Sequence, residues 1–347
     1  MLFQNNFGVD FGGSTLKIYD ERKDTITKEK NMIAMRNQSE VLAIGNDVYE
    51  MFEKTPQNVK IYTPVINGRI SDVFQAEAVL HTLLNRNGSW VGYRPRMYFA
   101  VPTGLTQIEK RAYYAVAHRG KLRKCKIFLV DRPIVDAIAL GIPLNRTKGS
   151  MIVNMGAQMT EISVVADARV IVSKQIPVGG KQFNEAIRSN IRKKNNLQVG
   201  IRTARRLKLA LADLEPSRKE GRKVMGMDCI NGIPRDGIVS STTVNDAIRE
   251  RMTQLTEEIR TVIWRTPPQI RANIGREGIY LTGGSTRIPN IDKFLSHKLE
   301  HSVQLSLYYD LCTVCGTGNT SGAAPLRISC SKIINKLPDM KGYKDEE

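Results

Sequence analysis

The stretch Phe7-Gly8-Val9-Asp10-Phe11-Gly12-Gly13-Ser14-Thr15-Leu16-Lys17-Ile18-Tyr19 reads as an apolar strand, a turn of paired glycines and hydroxyls, and a return strand. Such a hairpin can hold a polyphosphate. Turn amides and the hydroxyls of Ser14 and Thr15 would surround phosphate oxygens as a concave nest, with Asp10 where a metal or its waters would sit. A plain tight turn explains the same residues, so the hairpin alone leaves both readings open.

A second copy adds weight. Met151-Ile152-Val153-Asn154-Met155 is a strand, Gly156-Ala157-Gln158-Met159 a turn, and Thr160-Glu161-Ile162-Ser163-Val164-Val165 an alternating return strand. Similar hairpins opening each half of the chain predict two related lobes facing a shared cleft. A third glycine pair, in Leu281-Thr282-Gly283-Gly284-Ser285-Thr286, follows an apolar strand and precedes a helical turn; its bare backbone suits close approach to a flat nucleoside.

This order of parts resembles the actin, sugar kinase and heat-shock chaperone ATPase superfamily, and within it the bacterial actins of the MreB family. Further segments carry the resemblance: Val41-Leu42-Ala43-Ile44-Gly45, Thr63-Pro64-Val65-Ile66-Asn67-Gly68-Arg69, Val101-Pro102-Thr103-Gly104, Arg265-Thr266-Pro267-Pro268 and Cys315-Gly316-Thr317-Gly318, from Phe7 to about Ala323. The resemblance implies an α/β fold of the actin-like two-lobed ATPase type, built from duplicated ribonuclease-H-like domains, each with a smaller inserted subdomain. The first lobe is expected over 1–145 with an insert at about 32–66. The second is expected over 146–325 with an insert at about 181–242, and a tail covers 326–347. It further implies ATP as ligand, held by Gly12, Gly13, Ser14, Thr15, Gly156, Ala157, Gln158 and Met159 at the phosphates and by Arg205, Arg206, Lys208, Gly283, Gly284, Ser285 and Thr286 toward the nucleoside. Asp10 is the candidate for Mg2+. A cytoplasmic protein lying peripherally on the inner face of the cytoplasmic membrane is implied as well. It would polymerise with itself and organise the cell-wall elongation machinery that sets cell shape.

Three departures from the family pattern add positive charge, while bulky Gln158 and Met159 stand in a turn that is a Gly-Gly-Gly-Thr-Thr run in the family, restricting backbone angles and crowding the approach to a phosphate. The Asp that opens the second phosphate loop is Asn154, the Glu before the interlobe proline is Arg132, and a Glu near the ribose is replaced within Ala204-Arg205-Arg206-Leu207-Lys208. One unit for the first change and two for each of the others make the cleft about five units more positive than the pattern. Such a cleft attracts a triphosphate, yet it is poorer at holding Mg2+ and at positioning an attacking water. A non-hydrolysing scaffold or copolymer subunit is therefore the alternative reading, unless Asp131 or Glu161 restores the site. A small-molecule kinase lacks a second candidate carboxylate beyond Asp10. A DNA-segregating filament would need its basic region to engage duplex phosphates.

Composition agrees with a globular chain: 347 residues, 41% hydrophobic, with no apolar run long enough to span a bilayer. Five scattered cysteines give no disulfide framework, and Cys312-Thr313-Val314-Cys315 has redox or zinc spacing without a second pair to complete a site. The net charge is +18, much of it between Arg188 and Lys223. Anionic lipid, nucleic acid, an acidic protein or solvent alone could face it; the segment has no Phe, Trp or Tyr, so a stacking platform for single strands is absent and nucleic acid is disfavoured.

Helix signals are clear in two places. Thr106 and Glu109 form a capping box for a helix reaching about His118. Val244, Ile248, Met252, Leu255, Ile259, Val262 and Ile263 recur at spacings of three and four, with Thr243 as the expected cap and Pro267 near the stop. Asp131-Arg132-Pro133 to Ala139 reads as a further helix start. In Asn87-Gly88-Ser89-Trp90-Val91-Gly92-Tyr93-Arg94, Trp90 and Val91 beside arginine suit a bilayer interface; a tryptophan folded back on its own subdomain is the other reading.

Overall fold

The computed structural model describes residues 5–86, 88, 94–118, 122–216 and 219–319. Trp90, Val91 and the tail from 326 fall outside them. The chain divides into two compact units. The first comprises the sequence up to Thr147 with Val165–Val170 and the segment from Asp310; the second comprises Lys148–Val164 and Ile171–Tyr309.

In the first unit, β1 (Asn6–Phe11), β2 (Thr15–Asp20) and β3 (Thr25–Lys30) form an antiparallel meander. A separate small sheet follows from β4 (Ile33–Arg36), β5 (Glu40–Ile44) and, past α1 (Asn46–Met51), β6 (Val59–Tyr62). After the short ladder of β7 (Val65–Ile66) and β8 (Arg69–Ile70), helix α2 (Val73–Arg86) leads to β9 (Arg96–Val101). Helix α3 (Gln107–Ala117) then leads to β10 (Lys126–Asp131), and both strands run parallel to β1. The main sheet has the order β10-β9-β1-β2-β3. Its strands bury Phe7, Val9, Phe11, Leu16, Ile18 and Phe99 against Leu80, Leu83 and Tyr113 of α2 and α3. The capping box forms as the sequence predicts: the Glu109 amide donates to Thr106 Oγ1 and the Thr106 amide to Glu109 Oε2 at 2.7 Å. Helix α4 (Arg132–Ala139) starts at the predicted Arg-Pro, with proline in its first turn where a missing amide hydrogen costs nothing.

The second unit repeats the plan. β11 (Ser150–Met155), β12 (Thr160–Ala166) and β13 (Arg169–Ile176) open it; helices α5 (Gly180–Asn195) and α6 (Ile201–Leu211) flank β14 (Leu197–Gln198). The hairpin β15 (Gly221–Asp228) and β16 (Pro234–Ser240) joins β14 in a small sheet, and α7 (Ser241–Arg265), α8 (Pro268–Glu277), β17 (Ile279–Thr282), α9 (Ile291–Leu299) and β18 (Val303–Leu305) complete the unit. Its main sheet runs β13-β12-β11-β17-β18, which repeats the order of the first sheet read from β3 to β10. The apolar stripe of α7 is buried throughout, as its spacing predicts. Its cap is Ser240 rather than Thr243: the Ser240 hydroxyl accepts from the Thr243 amide, so Thr243 occupies the third helical position, where that amide needs a partner.

Much of the basic excess on the second unit is accounted for locally. Arg192, Lys193 and Lys194 fill the last turn of α5, where cations offset the helix's negative end, and Arg188, Lys194 and Lys223 are ion-paired to Glu185, Asp246 and Asp236. Finally α10 (Cys312–Asn319) belongs to the first unit and packs on α4 and β1, where Cys312 and Cys315 are buried thiols outside any disulfide.

Candidate functional site

The two predicted phosphate turns close in the same way. The Gly12 amide donates to the Thr15 carbonyl at 3.1 Å, and the Gly156 amide donates to the Met159 carbonyl at 3.0 Å. At each first glycine a Cβ would stand 2.7 Å and 2.9 Å from the accepting oxygen, too close for any side chain to fit without opening the turn. The bond that closes the hairpin is therefore what requires glycine at positions 12 and 156.

In the first unit the turn is braced from below by Asn31, fully buried, whose side-chain amide donates to the Gly12 carbonyl at 2.9 Å and whose backbone amide donates to the Ser14 carbonyl at 3.0 Å. With the backbone held so, the Ser14 and Thr15 hydroxyls make no hydrogen bond to any described residue and remain available to a ligand. The β1–β2 register sets Asp10 directly across from Lys17, and their side chains form a buried ion pair of 2.7 Å. Burial pushes the Lys17 ammonium down, but the Asp10 and Asp310 carboxylates outweigh it and hold the group above its ordinary range, with Arg132 opposing them. Asp310 is itself paired to Lys28 at 2.7 Å.

In the second unit the predicted residues from distant segments meet. The Gly156 carbonyl accepts from the Gly180 amide at 3.1 Å and from Ser285 Oγ at 2.8 Å, and the Lys181 amide donates to the Ala157 carbonyl at 2.7 Å. Gly283 has φ +94°, and a Cβ there would lie 2.4 Å from the Met155 carbonyl; Thr286 Oγ1 closes the same turn onto the Gly283 carbonyl at 2.7 Å. Lys208 reaches over from α6 to donate to the Gly180 carbonyl at 2.9 Å. Burial, and then the neighbouring Arg205, push the Lys208 ammonium down to about 7, and burial alone lowers Lys181. Gln158 and Met159 are half-buried on the turn. Arg206, by contrast, is exposed on the outer side of α6, because adjacent helical positions diverge by about 100°.

The profile of the MreB/Mbl protein family matches residues 4–325. The chain belongs to the MreB/Mbl family. It is 29% identical over 320 residues to the cell shape-determining protein Mbl of Bacillus subtilis (strain 168), covering 91% of this chain and 96% of that one. It is also 29% identical over 302 residues to the cell shape-determining protein MreB of Escherichia coli (strain K12), covering 85% and 86%. In fold it is similar to MreB 5 of Spiroplasma citri bound to AMPPNP, with a TM-score of 0.87 and 23% identity over 96% of this chain and 99% of that one. Similarity extends to a MamK double helical filament, with a TM-score of 0.75 and 17% identity over 97% and 100%. The actin-like two-lobed ATPase fold expected from the sequence is the fold observed.

Four groups at the site of this MreB/Mbl chain escape the sequence reading. Lys17 is legible by counting outward from the Gly12–Thr15 closure, which puts residue 17 across from residue 10. The pair Gly179-Gly180 resembles the others but is separated from its preceding strand, which ends at Ile176, by Pro177-Val178. Lys181 follows it. Asn31 has no local signal at all, since its role depends on β3 folding back under the turn.

Lys208 makes a measurable prediction. An anion bound beside it favours its charged form, so binding of that anion at pH 7.5 takes up a fraction of a proton. Calorimetric titrations in buffers of different ionisation heat will show that uptake, and affinity falls between pH 7 and 9 by at most about tenfold per unit. The sign for stability runs the other way. Between about 7 and 10.5 the unfolded chain holds the Lys208 proton that the folded chain lacks, so this group alone makes stability rise with pH through that window.

Proposed function

We propose that this MreB/Mbl chain binds ATP and assembles with itself into filaments on the inner face of the cytoplasmic membrane, where it helps to set cell shape by organising the wall-elongation machinery. The observation that carries the ATP reading is the braced Gly12–Thr15 turn, whose Ser14 and Thr15 hydroxyls have no protein partner among the described residues. The names of the Bacillus and Escherichia relatives support the cell-shape role.

Self-association is supported by the β15–β16 hairpin. Its register places Lys223 opposite Ile238, Met225 opposite Asp236 and Met227 opposite Pro234 on one face. On that face Met225 is 71% and Ile238 69% exposed, and Ile230 and Ile233 continue the apolar surface around the tip. The one charged pair there, Lys223 with Asp236, is internally neutral. An apolar ribbon on a chain of this charge suits a second copy better than an anionic partner. Sedimentation of micromolar protein with ATP will pellet the wild type, and the double variant Met225→Lys, Ile238→Lys will need about tenfold more protein to pellet. Equal pelleting of both chains would remove the hairpin from the contact; no pelleting of either in any nucleotide state would remove the filament.

A second reading is favoured by two particular residues. Arg132, buried at the start of α4, and Asn154, near the end of β11, stand where the family resemblance expects carboxylates. A chain so altered acts as a non-hydrolysing scaffold or copolymer subunit. Phosphate release much slower than that of a hydrolysing bacterial actin, with assembly intact, supports this reading; release at a comparable rate that is lost in Asp10→Ala contradicts it.

A further inference from the structure

We infer that the chain takes its nucleoside triphosphate without a protein-held magnesium ion, because the positive charge such an ion brings is built into the first unit as Lys17 and Arg132. This rests on the ATP reading above. A hard divalent cation needs oxygen ligands carrying net negative charge. Asp10, on the strand that enters the Gly12–Thr15 turn, is committed: its Oδ2 lies 2.7 Å from Lys17 Nζ, in a pair with both side chains buried. Asp310, the other carboxylate that acts on Lys17, is held 2.7 Å from Lys28. Arg132, also buried, is near enough to both Lys17 and Tyr113 to act on them electrostatically. Lys17 and Arg132 are therefore two buried cations within electrostatic reach of each other.

The second unit, taken by itself, is no more acidic at its own turn. Its loop opens with the neutral Asn154, and the groups gathered around the Gly156 and Gly180 carbonyls are Lys181, Lys208 and Ser285, with Arg205 beside them. Glu161 is buried on β12 and already engaged; Asp131 is exposed at the end of β10 and engaged as well. Among the described residues no group of three or more His, Cys, Asp or Glu is placed to hold a metal ion. In neither unit, each taken by itself, do the residues present fit magnesium; those of the first unit fit a polyanion, for which the buried Lys17 and Arg132 offer charge-assisted donors.

Calorimetric titration of ATP into the whole chain, once with excess Mg2+ and once with EDTA, tests this. The dissociation constants are expected to agree within about threefold, and Mn2+ titrated into nucleotide-free protein is expected to show no binding. Arg132→Gln, its fold checked by circular dichroism, is expected to weaken ATP about tenfold or more under both conditions, the loss of one charge-assisted contact. A drop of tenfold or more in EDTA for the wild type, micromolar Mn2+ binding, or unchanged EDTA affinity in Arg132→Gln overturns the inference while leaving ATP binding in place. No binding under either condition overturns the ATP reading itself, and this inference with it.

Discussion

Replacing Gly316 by alanine destabilises the first unit by about 3 kcal/mol or more, as an overpacked contact that cannot relax. A Cβ at 316 would stand 2.0 Å from the Val135 carbonyl oxygen and 2.8 Å from its carbon, so α4 and α10 cannot keep their present distance. Neither atom belongs to a flexible side chain; both are helix backbone. Gly8 on β1 meets the other side of α10, with Thr317 Oγ1 2.1 Å from its virtual Cβ. A matched control has the opposite sign. Gly275 lies in α8 with nothing within 4 Å and no unusual backbone angle, so Gly275→Ala is expected to gain about 0.5–1 kcal/mol from helix propensity. Urea unfolding followed by fluorescence reads both changes, with the transitions of the two units fitted separately because a chain of two units need not unfold as one. Equal effects of the two alanines would show that the α4–α10 contact is looser than these distances require.

The second large effect lies at the buried pair. Lys17→Met leaves the Asp10 carboxylate inside the protein without its cation, and a broken buried pair costs about 3–5 kcal/mol. The double variant Asp10→Asn, Lys17→Met removes both charges and is expected to recover most of that loss, giving a coupling energy of about 2–3 kcal/mol in a double-mutant cycle. A cycle that closes additively would mean that the two groups do not sense each other. The pair also has a pH signature. The folded pKa of Lys17 lies above its unfolded value of 10.5, so its stabilisation is complete below that pH and lost only as pH rises through the folded value.

Local chemistry makes several of these features legible in the amino-acid sequence. Glycine at 12 and 156, the α3 capping box and the α7 stripe each follow from residues within a few positions of one another, and each forms as expected. The strand order shared by the two sheets is foreshadowed by the repeated hairpins, since a meander followed by crossovers has few right-handed solutions. What stays hidden depends on long-range return of the chain. Asn31 braces a turn nineteen positions away, and Asp136 accepts from Thr313 at 2.7 Å across 177 positions. The ion pair of Asp10 with Lys17 is different in kind: the register encodes it, but reading Asp10 as a metal ligand hides its nearer partner.

If the Gly12–Thr15 turn, with Lys17 beneath it, is a triphosphate site, a crystal structure of the chain grown with a non-hydrolysable ATP analogue and EDTA will show it. Phosphate density is expected against the turn amides and the hydroxyls of Ser14 and Thr15. Density elsewhere, or the same turn filled only when magnesium is supplied and bridging to Asp10, would contradict it.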